Sequence, residues 1–122
     1  MKNNMELLAK DIYDWCIENE LWLDCCIYFN GKSWASWSTW NGIDGKKIGN
    51  MLYEYENKDP RRYFEYANPN TLSMSFEGDL NHVLNGYVHG WVELEEQFLR
   101  LFEKYGMYYE MGHAWNLSAF YI

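Results

Sequence analysis

The sequence predicts an α+β fold in which a mostly antiparallel sheet of about five to six strands packs against two helices. Apolar residues recur at three- and four-residue steps through residues 4–19 and 91–105, as on one face of a helix. Several shorter runs alternate between apolar and polar side chains, which is typical of strands. Turn dipeptides such as Asn30-Gly31 separate neighbouring runs and favour hairpins over long crossover connections.

The first predicted helix spans residues 4–19 and begins at an asparagine cap, Asn3 or Asn4. Its apolar stripe consists of Met5, Leu8, Ile12 and Trp15. Charged side chains occupy the opposite face, namely Glu6, Lys10, Asp14 and Glu18. Because charge pairs four residues apart contribute only about 0.2–0.5 kcal/mol each, burial of the apolar stripe is expected to hold this helix in place.

Three strands are then predicted as a meander. Residues 21–29 form a nearly continuous apolar run, which is typical of a central strand buried on both faces. Asn30-Gly31 provides a two-residue hairpin turn into the second strand, residues 33–40, and residues 51–56 alternate as the third.

The second of these strands is an alternation of Ser, Ala or Thr with Trp, from Ser33 to Trp40. In a regular strand Trp34 and Trp40 lie on one face and Trp37 lies on the other. At least one indole is therefore expected to point away from the core.

Shorter elements are predicted between this meander and the second helix. Asp59-Pro60 is a helix-start signal for a short helix over residues 61–67. Residues 71–77 alternate as a half-exposed strand. Its inward residues are Leu72, Met74 and Phe76, and its outward residues are Ser73, Ser75 and Glu77. Asp79 is expected to cap a helical turn that carries Leu80, Val83 and Leu84.

The helix at residues 91–105 is the element against which we expect the strands to pack. Its apolar face consists of Trp91, Leu94, Phe98, Leu101, Phe102 and Tyr105. Gly106 follows the last periodic residue and is expected to end the helix. Residues 107–111 and 115–121 then form the last two strands, separated by Gly112-His113.

Composition indicates one folded, acidic domain covering residues 1–122. The chain is 48% hydrophobic and 20% aromatic, which excludes a disordered chain despite the net charge of −8. No apolar run approaches the roughly 20 residues of a membrane helix, and the N-terminal residues lack the apolar block of a secretion signal. Three cysteines, two of them adjacent, indicate reduced thiols. We therefore predict a cytoplasmic protein.

Enzymatic and metal-binding interpretations have weak support. Cys25 or Cys26 could act as a nucleophile with a histidine base, but both lie in an apolar strand, where cysteine usually behaves as a small hydrophobe. Acidic and histidine residues occur near one another in a single region, which contains Glu77, Asp79, His82, His89 and His113. Their spacing matches no metal signature. We predict no catalytic residue, no metal site and no cofactor.

Direct nucleic-acid binding is also disfavoured. The basic residues cluster at Lys46, Lys47, Lys58, Arg61 and Arg62. Acidic residues interleave with this cluster and the whole chain is acidic, so attraction to phosphate would be local at best. A small-ligand-binding or enzymatic α+β domain with a Trp- and His-lined pocket stays open as the alternative, because indole faces stack on sugars or bases.

The acidic residues predict a protein-binding surface. Residues 63–122 hold eight acids against two bases, and residues 1–28 hold six against two. A folded acidic protein is attracted to basic grooves that hold phosphate backbones. The acids predicted to face solvent on the two helices are Glu93, Glu96, Glu103, Asp14 and Glu18. We predict that they form the partner-binding acidic face.

With its short acidic domain, reduced cysteines and aromatic strand from Ser33 to Trp40, the chain resembles small acidic proteins of phages and other mobile elements, among them anti-CRISPR and anti-restriction inhibitors. The resemblance implies a non-enzymatic inhibitor that binds a bacterial defence nuclease. Such an inhibitor either competes with nucleic acid, as a DNA mimic, or holds the effector nuclease in an inactive arrangement. Trp34, Trp37 and Trp40 are the predicted aromatic anchor, and pairing of two copies through exposed aromatic rings stays open.

Overall fold

The computed structural model describes residues 2–36, 51–56 and 71–122. The helices in these segments are α1 (Lys2–Glu18), α2 (Asp79–Leu84) and α3 (Trp91–Glu103). The strands are β1 (Cys25–Phe29), β2 (Lys32–Ala35), β3 (Tyr53–Glu56), β4 (Ser73–Phe76), β5 (Met107–His113) and β6 (Asn116–Tyr121). The predicted α+β class is confirmed. The predicted helix over residues 61–67 and the second strand beyond Ser36 lie outside the described residues.

The six strands form one sheet in the order β3-β2-β1-β4-β6-β5. Every neighbouring pair is antiparallel, and all five β1 residues are buried, so the predicted central strand is confirmed. Asn30 and Gly31 have φ of 51° and 77°. Both values lie in the left-handed region that a two-residue hairpin requires, which explains the Asn-Gly pair between β1 and β2.

The strand predicted over residues 21–29 is too long at its N-terminal end. β1 begins at Cys25, because Glu20 and Asp24 adopt positive φ of 58° and 65° and turn the chain out of α1. The Leu21 amide donates to the carbonyl of Cys16 at 2.7 Å, which closes this turn against the helix. Trp22 is nevertheless 1% exposed, so this apolar run fills the core from a loop.

The strand predicted as half exposed is confirmed in part. The residues predicted to face inward are all buried, namely Leu72, Met74 and Phe76. Of the residues predicted to face outward, Glu77 is exposed and Ser75 is half-buried, but Ser73 is fully buried. The Ser73 hydroxyl shares a hydrogen bond of 2.8 Å with the hydroxyl of Ser118 on β6. The prediction that Ser73 faces solvent is therefore wrong.

Three predicted boundaries also differ from the structure. α1 begins at Lys2, so Asn3 and Asn4 lie inside the helix and do not cap it. Gly78, and not Asp79, precedes α2 as its N-cap, and no side chain caps the helix. A Cβ at Gly78 would lie 2.5 Å from the carbonyl oxygen of Leu23, so this close approach of two backbones requires glycine. β5 extends through His113 across an irregularity in the pairing, where Asn116 Oδ1 accepts the His113 amide at 3.2 Å.

The three helices pack on one face of the sheet around a single core. The predicted α1 stripe is confirmed, since Met5, Leu8, Ile12 and Trp15 are all buried. On α3 the fully buried residues are Phe98 and Phe102, with ring centroids 5.1 Å apart. Gly106 has φ of 72°, as expected of a helix stop. The predicted central role of this helix in the core is therefore confirmed.

Candidate functional site: the acidic surface of α3

The five acids of the predicted acidic face are Glu93, Glu96, Glu103, Asp14 and Glu18, and all are exposed. They divide between two neighbouring helices that run antiparallel. Trp15 Nε1 donates to Gln97 Oε1 at 3.1 Å, and the Tyr105 hydroxyl donates to Asp11 Oδ2 at 2.6 Å. The two helices therefore meet along a seam, and acids lie on both sides of it.

The groove along this seam has mixed charge. It is lined by Asp11, Asp14, Trp15 and Glu18 from α1 and by Arg100, Leu101 and Lys104 from α3. Lys104 pairs with Asp11 at 3.2 Å, and Lys10 pairs with Asp14 at 3.2 Å. Asp14 and Glu18 therefore lie beside cations, which reduce the field that these two acids project into solvent.

The first half of α3 carries carboxylates without a described ion pair. Residues 71–99 contain five acids and neither Lys nor Arg. Among the described residues, no ion pair joins a Lys or Arg to Glu93, Glu95 or Glu96, and we call these three residues the acidic α3 surface. Arg100 lies four residues after Glu96 and borders this surface, and Glu103 lies beyond Arg100. The described residues thus divide the carboxylates into one group without ion pairs and a second group that lies among cations.

Glu95 was missed by the sequence analysis, because its position falls between the polar and apolar faces of the helix. The negative charge of its carboxylate disfavours ionisation of the Tyr109 hydroxyl on β5. Burial, together with this carboxylate, raises the pKa of Tyr109 to about 12. The absence of Lys and Arg from residues 71–99 is the sequence signal that could have identified it.

One described cation, Lys32 on β2, is held in a network with two acids. Lys32 contacts Glu6 at 2.8 Å and Glu54 at 3.4 Å. Trp34 Nε1 donates to Glu54 Oε1 at 2.7 Å, and this hydrogen bond, together with Lys32, holds the pKa of Glu54 below its usual value. This network uses both the cation and the indole N–H, so neither is left for a partner.

The predicted aromatic anchor is only partly within the described residues. Trp34 is partly buried and packs edge-on against Phe29 with centroids 4.8 Å apart. Trp37 and Trp40 lie outside the described residues, as does the basic cluster from Lys46 to Arg62. The most exposed aromatic side chain among those described is Tyr87, at 75%.

A Trp- and His-containing concavity does exist, at the start of α3. It is lined entirely by residues 86–93, which include Tyr87, His89, Trp91 and Glu93. One continuous segment therefore supplies the whole lining, whereas ligand pockets usually draw on several elements. Within the segments that the structure describes, no three His, Cys, Asp or Glu residues come together as a metal site.

All three cysteines are buried, and the surroundings of Cys25 and Cys26 suppress thiolate formation. Cys16, Cys25 and Cys26 are buried and free. The Cys25 thiol donates to the carbonyl of Leu21 at 3.3 Å, and a hydrogen bond with Cys16 together with burial raises its pKa well above the usual value. Burial raises the pKa of Cys26 to about 12. The thiolate, which is the nucleophilic form, is therefore scarce at neutral pH.

We expect all three thiols to stay unreactive toward the reagent DTNB in the folded protein at neutral pH, because burial blocks access to each of them and the raised pKa of Cys25 and Cys26 also disfavours their thiolates. In guanidinium chloride all three should react. The absorbance of released thionitrobenzoate measures both states on one sample. A thiol that reacts in the folded protein as fast as in the unfolded one would contradict this account.

None of the helices in residues 2–36, 51–56 and 71–122 is long and apolar enough to cross a membrane. Comparison of the chain with protein-family models, with curated proteins and with solved structures finds no match.

Proposed function

We propose that the chain is a non-enzymatic inhibitor that binds a bacterial defence nuclease in the cytoplasm of the host cell. The acidic α3 surface binds a basic groove in which the nuclease holds nucleic acid. The observation that carries this proposal is the run of residues 71–99, with five acids and no Lys or Arg. Glu93 and Glu96 within that run are exposed on a helix that the core holds rigidly.

Competition with nucleic acid follows from the charges. Grooves that bind phosphate backbones are lined by Lys and Arg, and their potential attracts any complementary acidic surface of suitable shape. Carboxylates on a rigid helix lose little conformational freedom on binding, which favours affinity. The chain's net charge of −8 adds long-range attraction that speeds association at low salt.

An exposed apolar site borders the acidic α3 surface and supports protein binding. Tyr87 is 75% exposed and Val92 is 50% exposed, and both line the same concavity as Glu93. Tyrosine is enriched among the residues that dominate binding energy at interfaces. We assign Tyr87 the anchoring role that the sequence analysis gave to the Trp-rich strand, because Trp34 is engaged within the fold.

The test is a tagged pull-down from bacterial lysate that contains CRISPR effector complexes, washed at low and high salt. Wild type should retain one stoichiometric nuclease partner, which added double-stranded DNA or high salt releases. Reversing two exposed acids, in the Glu93→Lys/Glu96→Lys variant, should weaken retention by about tenfold or more, because opposite charges become like charges at the interface.

The matched control is Asp14→Lys/Glu18→Lys, which changes the net charge equally. We expect a smaller loss of retention, because Lys10 and Lys104 already offset that part of the surface. Retention that survives Glu93→Lys/Glu96→Lys and is insensitive to salt would rule out competition through α3. Absence of any retained protein would favour the alternative, a small-ligand domain that uses the concavity at residues 86–93.

A further inference from the structure

β5 forms one edge of the sheet, and its backbone pattern shows which groups face outward. The amide of Ile122 donates to the carbonyl of Gly106 at 3.0 Å, just beyond the pairing of β5 with β6. Hydrogen-bonded and non-hydrogen-bonded pairs alternate in an antiparallel ladder. The backbone groups of Tyr108 and Glu110 therefore bond to β6, whereas those of Tyr109 and Met111 point away from it.

These outward groups are open to a further strand. Among the described residues, no backbone or side-chain group bonds to the N–H or C=O of Tyr109 or Met111. Residues 110–113 are exposed. The irregularity between Met111 and His113 limits regular pairing to the part of β5 before it.

The part of β5 before this irregularity lacks most of the usual protection of an edge strand. Natural edges carry Lys, Pro or inward-pointing charges that prevent other chains from pairing. Residues 107–113 contain no Pro, Lys or Arg, and their one charged side chain at neutral pH is Glu110. An edge left open in this way is suited to binding an extended segment through main-chain hydrogen bonds.

The charges near this edge favour a basic occupant. Glu110 lies on the strand itself, and Glu95 lies on α3 one turn before Phe98, whose ring packs against Tyr109. β5, β6 and residues 91–99 contain no Lys or Arg. A second copy of the chain would bring its own Glu110, Glu95 and net charge of −8, so pairing between copies is opposed by repulsion.

We propose that β5 binds a basic, extended peptide segment of the protein partner as an additional strand, held by the backbone groups of Tyr109 and Met111. Lysine or arginine side chains of that segment contact Glu110 and Glu95 on either face of the edge. The inference rests on the proposed function for the identity of the partner, and on the edge itself for the mode of binding.

The test uses a synthetic peptide of Lys and Val with two adjacent lysines at its centre, because successive side chains of a strand point to opposite faces and adjacent lysines can therefore face Glu110 and Glu95 together. Amide hydrogen exchange followed by NMR should show protection of the Tyr109 and Met111 amides rising by about tenfold or more at saturation. A peptide with Glu in place of Lys should not bind. Equal protection by both peptides, or protection confined to other amides, would overturn the proposal.

Met111→Pro removes one outward amide without removing a bond to β6, since proline is tolerated where the amide faces solvent. It should weaken binding of the Lys–Val peptide by about tenfold, whereas the matched control Met111→Leu should bind as wild type does. If the Met111→Pro variant does not fold, a Lys–Val peptide that is N-methylated at every second residue replaces it. The methylated amides of this peptide cannot donate hydrogen bonds to β5. Undiminished binding of the N-methylated peptide would overturn the proposal.

The outcomes separate this inference from the proposed function. If Met111→Pro folds and keeps the nuclease partner while Glu93→Lys/Glu96→Lys loses it, the edge inference fails and the inhibitor stands. If no nuclease partner exists but the peptide protects Tyr109 and Met111, the inhibitor fails and the edge stands. Concentration-dependent dimerisation of the wild type that Met111→Pro abolishes would assign the edge to a second copy and overturn the inference.

Discussion

Phe98→Ala should destabilise the protein by about 3–5 kcal/mol, the usual cost of removing a buried aromatic ring. Phe98 is fully buried, and its ring lies 5.3 Å from Trp15, 5.1 Å from Phe102 and 5.2 Å from Tyr109 between centroids. Three elements therefore meet at this one side chain. A single domain is typically stable by only about 5–15 kcal/mol, so the variant loses a large part of its stability.

Chemical denaturation followed by circular dichroism measures this loss as a lower midpoint. Val92→Ala is the control on the same helix, because Val92 is 50% exposed and the change should stay within about 0.5 kcal/mol. Alanine is the better helix former at both positions, so lost helix propensity cannot explain a difference between them. Equal midpoints for the two variants would contradict the packing described for α3.

Trp22→Ala should cost a similar amount, about 3–5 kcal/mol, although Trp22 lies in a loop. Its ring is 1% exposed and meets the ring of Tyr13 edge-on at 5.0 Å between centroids. Its Nε1 donates to the carbonyl of Met51 at 2.8 Å, just before β3. One side chain therefore ties the end of α1 to the outer part of the sheet.

Trp22→Phe separates packing from hydrogen bonding. Phenylalanine keeps most of the apolar ring but leaves the Met51 carbonyl without its donor, which should cost about 1–3 kcal/mol. Both variants are measured by chemical denaturation against wild type. If Trp22→Ala costs no more than Trp22→Phe, the ring contributes little packing and the core has been wrongly assigned here.

Local signals explain why much of the fold could be predicted. The stripe of α3, the stop at Gly106 and the Asn30-Gly31 turn each depend on residues a few positions apart, and all three are present. The order β3-β2-β1 is that of the predicted meander, in which consecutive strands pair as neighbours. Periodicity and turn chemistry are properties of short segments, so a single sequence is enough to reveal them.

The features that could not be predicted depend on contacts distant in sequence. Buried Ser73 shares its hydrogen bond with Ser118, 45 residues away, and buried Trp22 donates its N–H to the carbonyl of Met51, 29 residues away. The ion pair between Asp11 and Lys104 changes the charge of the groove, and no local pattern indicates it. Glu93 and Glu96 of the candidate site could be named from the sequence, whereas Glu95 and the pairing of the seam acids with cations could not.

The strand order also determines how the chain folds. β1 pairs with β2 across a two-residue turn, and β5 pairs with β6 across a tight turn, so each hairpin forms within about 1–10 μs. The two halves join where Ile27 pairs with Met74, residues far apart in the chain. Because such closure loses chain entropy before any contact forms, it is slower than either hairpin. The pairing of β4 with β6 closes a loop of similar length, with 45 residues between Ser73 and Ser118. We therefore expect folding to be limited by the meeting of β4 with its two neighbours, and until then these strands expose unpaired edges through which unfolded chains can aggregate.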